Sequence, residues 1–341
     1  MKETIHILCV LNPEAGNGLS RQRWPEVASL MEAFRLSYEV LMVDEWPMAD
    51  AVFRHLQGTD IGNYDVICGI GGDGTHSQII NALMRFRAQY PEKALPPYAL
   101  IPLGTGNDIA KSFGLTARDN LFVSDLRPAV AAIRYGVDYF LDVGKMGGLC
   151  HAKSVIYFVD ALTIGLDSSI LAEHNRYKEE IIKYPLLRRL IRGNILYTYC
   201  MGIRFWTHNP IETRINVDGK EWYHGPVLNL IVNNTRIYGG EFIICPDSFA
   251  NDGLLEVVVF AGHYDYLARY LLSLRNNPRE IRKIAEKLGN VSLHTQGRVV
   301  KISLSRPETA QYDGEMLSAC DKFEIEVVPR AIQIKVPAEP G

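Results

Sequence analysis

The stretch Tyr64-Asp-Val-Ile-Cys-Gly-Ile70, Gly71-Gly-Asp-Gly-Thr75, His76-Ser-Gln-Ile-Ile-Asn-Ala-Leu-Met-Arg-Phe86 decides how the rest of the chain is read. Its first piece is a short apolar run bounded by glycine, the pattern of a buried strand. Its last piece sets Ile79, Ile80 and Leu83 at helical spacing, with Met84 beside them. Between them the chain turns on glycines, which let a ligand approach bare backbone, and Thr75 is placed to cap the new helix. A helix start behind such a turn favours an anion, through free N–H groups and the helix dipole. Asp73 is the odd member, since a carboxylate facing phosphates needs a cation between them, and Mg²⁺ takes both kinds of oxygen. The plain alternative is a strand-to-helix turn with Asp and Gly chosen for turn chemistry.

Working outward, the first half alternates strand and helix. Ile5–Leu11, Tyr38–Val43 and Tyr98–Ile101 read as strands, and Arg21–Phe34, Met48–Leu56 and the run from Ile109 as helices. Alternation of this kind predicts a parallel sheet covered by helices. Asn12–Gly18, Gly71–Thr75 and Gly104–Asp108 each follow a strand, so all three loops emerge at the carboxyl edge, where such sheets bind ligands.

The second half changes character near Ala132–Asp138. Nine short runs rich in β-branched and aromatic residues follow: 139–145, 154–160, 213–217, 221–224, 227–232, 254–260, 298–304, 323–328 and 332–336. They predict an antiparallel sandwich or barrel. Asp218-Gly219 and Gln296-Gly297 mark tight hairpins. One segment departs from this pattern. Tyr177–Trp206 interleaves Lys183, Arg188, Arg189, Arg192 and Arg204 with Leu186, Leu190, Tyr197, Tyr199 and Trp206. A basic, aromatic-rich helical pair of this kind suits an anionic membrane surface, or it packs on the sandwich with its arginines solvated.

The 341 residues suggest about two domains on the length prior. With 47% hydrophobic and 22% charged residues the chain is ordinary globular material. A net charge of −3 argues against a nucleic-acid partner. Six scattered cysteines with no C-x-x-C pair read as reduced, mostly buried thiols, and a cytoplasmic location is expected. No run is long enough to span a bilayer, so any membrane contact is expected to be peripheral. The nine histidines, from His6 to His294, show no ligand spacing, and no zinc site is expected.

Five motifs occur in order: Asn12-Pro-x-Ala-Gly16-x-Gly18, Gly71-Gly-Asp-Gly-Thr75, Pro102-Leu-Gly-Thr-Gly-Asn-Asp108, Cys245-Pro-Asp-x-x-x-Asn-Asp252-Gly-Leu254 and Asp313-Gly-Glu315. Together they resemble the diacylglycerol kinase catalytic domain family, which includes bacterial soluble lipid kinases, sphingosine kinases and ceramide kinases. Gly-Gly-Asp-Gly-Thr alone is shared with NAD kinases and, loosely, phosphofructokinases. The Gly-Thr-Gly-Asn-Asp and Asp-Gly-Glu elements point to lipid kinases.

The resemblance implies an N-terminal nucleotide-binding α/β domain, residues 1–136, like that of NAD kinases and phosphofructokinases. It implies an all-β C-terminal sandwich for the lipid substrate, residues 137–327, with the tail from about 328 to 341 returning to the first domain. The active site is expected in the cleft between them. ATP would contact Asn12, Gly71, Gly72, Asp73, Gly74, Thr75, Gly104, Thr105 and Asn107. Asp73 and Asp108 would sit in a Mg²⁺ and phosphate network. Asp313 and Glu315 would supply the carboxylate that positions the acceptor hydroxyl and takes its proton, and the sequence does not separate the two. A second, structural Mg²⁺ would use the Asp252 carboxylate with the Phe249 and Leu254 carbonyls, against an Asx-turn as the plain alternative. Where the family often offers a small hydroxyl side chain to ATP, this chain has Asp44, Glu45 and Trp46.

The expected activity is thus ATP-dependent phosphorylation of the alcohol group of a diacylglycerol-like or sphingoid lipid, in lipid metabolism and phospholipid biosynthesis. The expected partners are a lipid at a membrane surface, met through segment 183–206, and a second copy of the chain in a homodimer. The rivals are an NAD kinase-type phosphotransferase and a non-catalytic lipid- or nucleotide-binding relative.

Overall fold

A computed structural model describes residues 4–104, 106–116, 125–147, 155–182, 193–239, 242–245, 247–273 and 293–338. The chain opens with β1 (Ile5–Leu11), α1 (Ala15–Ala33), β2 (Leu36–Met42), α2 (Met48–Gly58), β3 (Val66–Gly71), α3 (Asp73–Gln89), β4 (Tyr98–Pro102), α4 (Asp108–Ser112) and α5 (Arg127–Tyr135). Strands β2, β1, β3 and β4 lie in that order, each parallel to its neighbour. All six residues of β3 are buried, as a central parallel strand requires. Their side chains join Met31, Leu56, Phe86 and Ile101 in one apolar core.

The second half comprises β5 (Val137–Gly147), β6 (Ile156–Phe158), β7 (Ala161–Gly165), α6 (Leu166–Ile182), α7 (Gly193–Thr207), β8 (Ile211–Val217), β9 (Lys220–Val227), β10 (Asn229–Asn233), β11 (Ile237–Tyr238), β12 (Phe242–Ile243), β13 (Leu255–Phe260), α8 (His263–Ser273), β14 (Leu293–Gly297), β15 (Val299–Tyr312) and β16 (Glu315–Val336). Its pairings are antiparallel, and β8 alternates Ile211, Thr213, Ile215 and Val217 inward with polar residues between them. A second core gathers Phe158, Ile164, Val232, Val257, Ile302 and Ile325. The expected class, a parallel α/β half and a β-sandwich half, is the one observed.

Three features differ from the sequence reading. Asp218-Gly219 does join β8 to β9, but Gln296-Gly297 is no hairpin: β14 pairs with β13, and the chain then crosses to start β15 beside β8 and β16. The run 154–160 ends in a bend at Val159 and Asp160, and a further buried strand, β7, follows. The runs 323–328 and 332–336 are parts of the single strand β16. That strand leaves the hairpin at Glu315, pairs with β15, then with β5, and ends with Ile334 paired to Tyr98 of β4. One continuous sheet therefore runs from β14 to β2 through both halves.

Cys9, Cys68, Cys200 and Cys245 are free and buried. Cys320 is disulfide-bonded, which corrects the expectation of six reduced thiols.

Candidate active site

The three loops at the carboxyl edge of β1, β3 and β4 touch one another. Asn12 anchors the first: its backbone N–H donates to the Ile70 carbonyl at 3.1 Å, and Nδ2 donates to Thr75 Oγ1 at 2.9 Å. Gly16, Asn17 and Gly18 then take left-handed φ values of 61°, 59° and 87°, so the loop persists into what reads as the start of α1. A Cβ on Gly16 would lie 2.7 Å from the Leu103 carbonyl oxygen of the third loop. The second and third loops are closer still. A Cβ at Gly72 would lie 2.9 Å from Gly104 Cα, and one at Gly104 would lie 2.4 Å from Gly72 Cα. Only glycine permits this backbone-on-backbone contact. Asn107, left-handed with φ 57°, closes the third loop by accepting from the Gly104 N–H and donating to its carbonyl. Thr105 lies outside the described residues. Thr75 is not the cap of α3, which begins at Asp73 behind Gly72; it stands in the first turn, buried, and serves Asn12.

Carboxylates gather beside this rim. Asp73 Oδ1 accepts the Ile109 N–H at 3.3 Å, so the acid of the second loop is fixed by the start of α4. Burial raises its pKa, and backbone N–H groups of 107–109 oppose the rise. Asp108 is buried next to it. Asp160, at the bend before β7, is buried too. Its pKa is pushed well above the usual carboxylate range, first by burial and then by the charges of Asp108, Asp313 and Asp73. Thr235 Oγ1 donates to Asp160. These carboxylates, all among the described residues, are hard-oxygen donors of the kind Mg²⁺ takes, but no three of them bring ligand atoms within 4.8 Å of one another. Asp160 has no motif around it: its sequence neighbours are apolar, and the only signal was an acid inside a strand-like run.

The hairpin joining β15 to β16 brings the last two acids from the β half. Asp313 (φ 45°) and Gly314 (φ 86°) make its turn. Asp313 is committed to structure: Oδ2 accepts the Val159 N–H at 2.9 Å, and Oδ1 accepts those of Asp160 at 2.9 Å and Ala161 at 3.1 Å. Burial lifts its pKa to about 6 against these stabilising bonds. Glu315 is different. Its Oε1 lies 3.2 Å from where a Cβ on Gly74 would stand, against the second loop. Burial, and then the Asp313 charge, raise its pKa to about 7, while the Trp46 indole opposes the rise. Trp46 stands 4.0 Å from the same Gly74 position, so the residue where the family's hydroxyl was expected touches both rim and acid.

The Asp252 loop is separate from this cluster. Asp252 Oδ1 accepts the Leu254 N–H at 2.9 Å, and the Asp252 N–H points to the Phe249 carbonyl at 3.4 Å, which is the Asx-turn arrangement. Beneath it, the fully buried Asp142 accepts the N–H groups of Gly253 and Arg330, tying the loop to β16.

An α/β half whose glycine loops meet at one rim, facing acids from a β-sandwich half, defines a class of phosphate-handling two-lobed proteins. Residues 6–136 match the family model described as the diacylglycerol kinase catalytic domain. Residues 185–336 match the one described as the YegS C-terminal NAD kinase beta sandwich-like domain. The chain belongs to the diacylglycerol kinase catalytic domain family, a family of lipid kinases. It is 28% identical over 294 residues to a "Probable lipid kinase YegS-like" protein of Enterobacter sp. (strain 638), covering 86% of this chain and 85% of the relative. It is 24% identical over 309 residues to a "Diacylglycerol kinase" of Bacillus subtilis (strain 168), covering 90% and 88%. A solved diacylglycerol kinase of Bacillus anthracis str. Sterne shares the fold, with a TM-score of 0.63, 20% identity and 98% of each chain covered.

Proposed function

We propose that this protein transfers the γ-phosphoryl group of ATP to the hydroxyl of a diacylglycerol-like or sphingoid lipid, with Glu315 as general base. The observation that carries the reading is the seat of Glu315: an acid from the β half, with a pKa of about 7, lying against Gly74 of the phosphate-loop rim. A base with a pKa near the working pH combines ionisation with affinity for the proton. As the acceptor oxygen bonds to phosphorus and the bond to ADP breaks, the hydroxyl proton passes to a Glu315 oxygen. Asp313 positions rather than reacts, because its oxygens already hold three backbone N–H groups. The backbone of Gly71–Thr75 and Gly104 would hold the phosphates, and Asn12 keeps Thr75 in place. Asp73 and Asp108, together with nucleotide phosphate oxygens, would hold Mg²⁺, which neutralises charge on the transferring group when bound. A second Mg²⁺ at Asp252, with the Phe249 and Leu254 carbonyls, belongs to the same proposal.

The acceptor's apolar part would enter a cavity linked to the hairpin tip. A small, mostly apolar cavity is lined by Tyr197, Met201, Ile231, Tyr238 and Phe260, together with the buried Asp167 and with Arg269. Tyr238 Oη accepts from Gln311 Nε2 at 3.0 Å, and Gln311 Oε1 accepts the Gly314 N–H at 2.8 Å, linking cavity to hairpin tip. Trp206 (80% exposed) on α7 and Tyr264 (74%) on α8 offer apolar surface of the kind that docks on a bilayer. Arg204 is engaged with the buried Glu173 at 2.6 Å, and Lys183, Arg188, Arg189 and Arg192 lie outside the described residues. Among the described residues no helix is long and apolar enough to cross a membrane.

The test supplies Mg-ATP and a panel of lipids in mixed micelles, with NAD as a further acceptor. Transfer to a lipid hydroxyl, lost in Glu315→Gln, is the expected result. Transfer to NAD and to no lipid overturns the reading. Liposome flotation of a charge-reversed Arg188, Arg189 and Arg192 variant tests the membrane contact, which fails if binding is unchanged.

A further inference from the structure

Strand pairing assembles a cluster that residue spacing hides. In the antiparallel pair of β13 and β14, Glu256 lies opposite Gln296 and Val258 opposite His294. Opposed residues share a face, and so do residues two apart, so Glu256, Gln296 and His294 project from the same side. Asn233 of β10 lies opposite Glu256 on its other flank. The chain following β12 brings Cys245 over this face. One ligand atom each from Cys245, Glu256 and His294 falls within 4.8 Å of the others. Three zinc ligands at bond lengths of about 2.0–2.3 Å stand roughly 3.3–3.8 Å apart in a tetrahedron, so small side-chain movements close the site.

The surroundings fit a metal centre. Gln296 Nε2 donates to Glu256 Oε1 at 2.6 Å, which orients the carboxylate and leaves Oε2 against His294 Nε2. Cys245 and Glu256 are both 4% exposed, whereas the His294 side chain is 47% exposed, giving an entry path and room for a fourth ligand from solvent. Asn233, fully buried, lies beside the Cys245 sulfur, and its Oδ1 has no hydrogen-bond partner. A thiolate, an imidazole and one carboxylate form a donor set that suits zinc and not magnesium.

We propose that Cys245, Glu256 and His294 form a Zn²⁺ site that ties the segment after β12 to β13 and β14. The site is independent of the kinase reading and separate from the Asp252 loop. It runs against the expectation, drawn from spacing, that the histidines of this chain hold no zinc, and the zinc titration decides between them.

The full chain, freed of metal by chelation and dialysis, is titrated with Zn²⁺ against a chromophoric chelator and with Co²⁺ by absorption. One equivalent of tightly bound zinc, a thiolate-to-cobalt charge-transfer band and a zinc-dependent rise in Tm are expected. Cys245→Ser abolishes the band. His294→Ala, at a half-exposed position, leaves the metal-free Tm unchanged and weakens zinc binding. Gln296→Ala weakens it on the order of 10–100-fold by freeing a ligand's orientation. Cys68→Ser, a buried thiol on β3, changes none of these. The proposal is overturned if no tight zinc equivalent binds, or if zinc and cobalt bind without the band or with affinity unchanged in His294→Ala. Should Cys245→Ser fail to fold, His294→Ala decides alone.

Discussion

Two hairpins in this molecule carry the same Asp-Gly turn and do opposite things. Asp218-Gly219 has φ values of 50° and 80°, and Asp313-Gly314 has 45° and 86°. Each aspartate fastens its turn to another strand by accepting backbone N–H groups: Asp218 from Arg298 and Val299, Asp313 from Val159, Asp160 and Ala161. The first turn is exposed, and Lys220 follows it. The second is inserted between the two halves with its aspartate 6% exposed, and Glu315 follows it against the glycine rim. Local sequence sets the turn in both. Where the turn is delivered, and the next residue, decide whether it can do chemistry.

Replacing the acid that follows the second turn's glycine is the strongest way to break this comparison. Glu315→Gln should lower kcat on the order of 10²–10⁴-fold, the usual contribution of a general base, with Tm little changed. An active Glu315→Gln enzyme would erase the distinction between the hairpins. Asp313→Asn comes next. It loses charge and leaves a buried N–H poorly paired, so it should cost about 1–3 kcal/mol in urea unfolding and reduce turnover. The same substitution at Asp218 should leave turnover intact.

The two acids also set a pH signature. In the wild type kcat/KM should rise with pH through about 7, as Glu315 ionises. Removing the Asp313 charge, one cause of that raised value, should move the limb to lower pH. Stability has the opposite sign. Both folded values lie above the ordinary ones, so the stability these groups add is fully present below pH 3.8 and 4.5 and is lost as pH rises through about 6 and 7. Melting profiles should flatten near pH 7 in Glu315→Gln.

Gly104→Ala sharpens the other side of the cleft. Its Cβ would meet Gly72 Cα at 2.4 Å, so it should raise the KM for ATP and cost about 1–3 kcal/mol of stability. Smallest of all, Gly219→Ala should cost about 1–2 kcal/mol for its left-handed backbone and leave activity unchanged.

The α/β half was legible because each of its signals is local: an apolar run, a glycine turn and a helical stripe are consecutive in the chain. The same holds for the Asp313 turn. Asp160 was not legible, because the charges that shift it, those of Asp73, Asp108 and Asp313, arrive from three other segments. The choice between Asp313 and Glu315 required the Val159–Ala161 backbone, which the chain places about 150 residues earlier. Gln296-Gly297 misled because a turn-like dipeptide there serves a crossover between strands that do not pair.

The strand β16 has a mechanical consequence. It begins at Glu315 in the cleft and, over 22 residues, ends at Val336 inside the parallel half. From Glu324 to Val336 β5 is bonded to its flank, and that ladder is broken between Val328 and Ile332, where Arg330 has φ 50°. Within the part paired to β5 the ribbon has this one soft joint; nearer Glu315 its ladder with β15 shifts register around Cys320. Opening of the two halves is therefore expected to pivot at 329–331, and the swing of that joint would set how far Glu315 travels from the glycine rim.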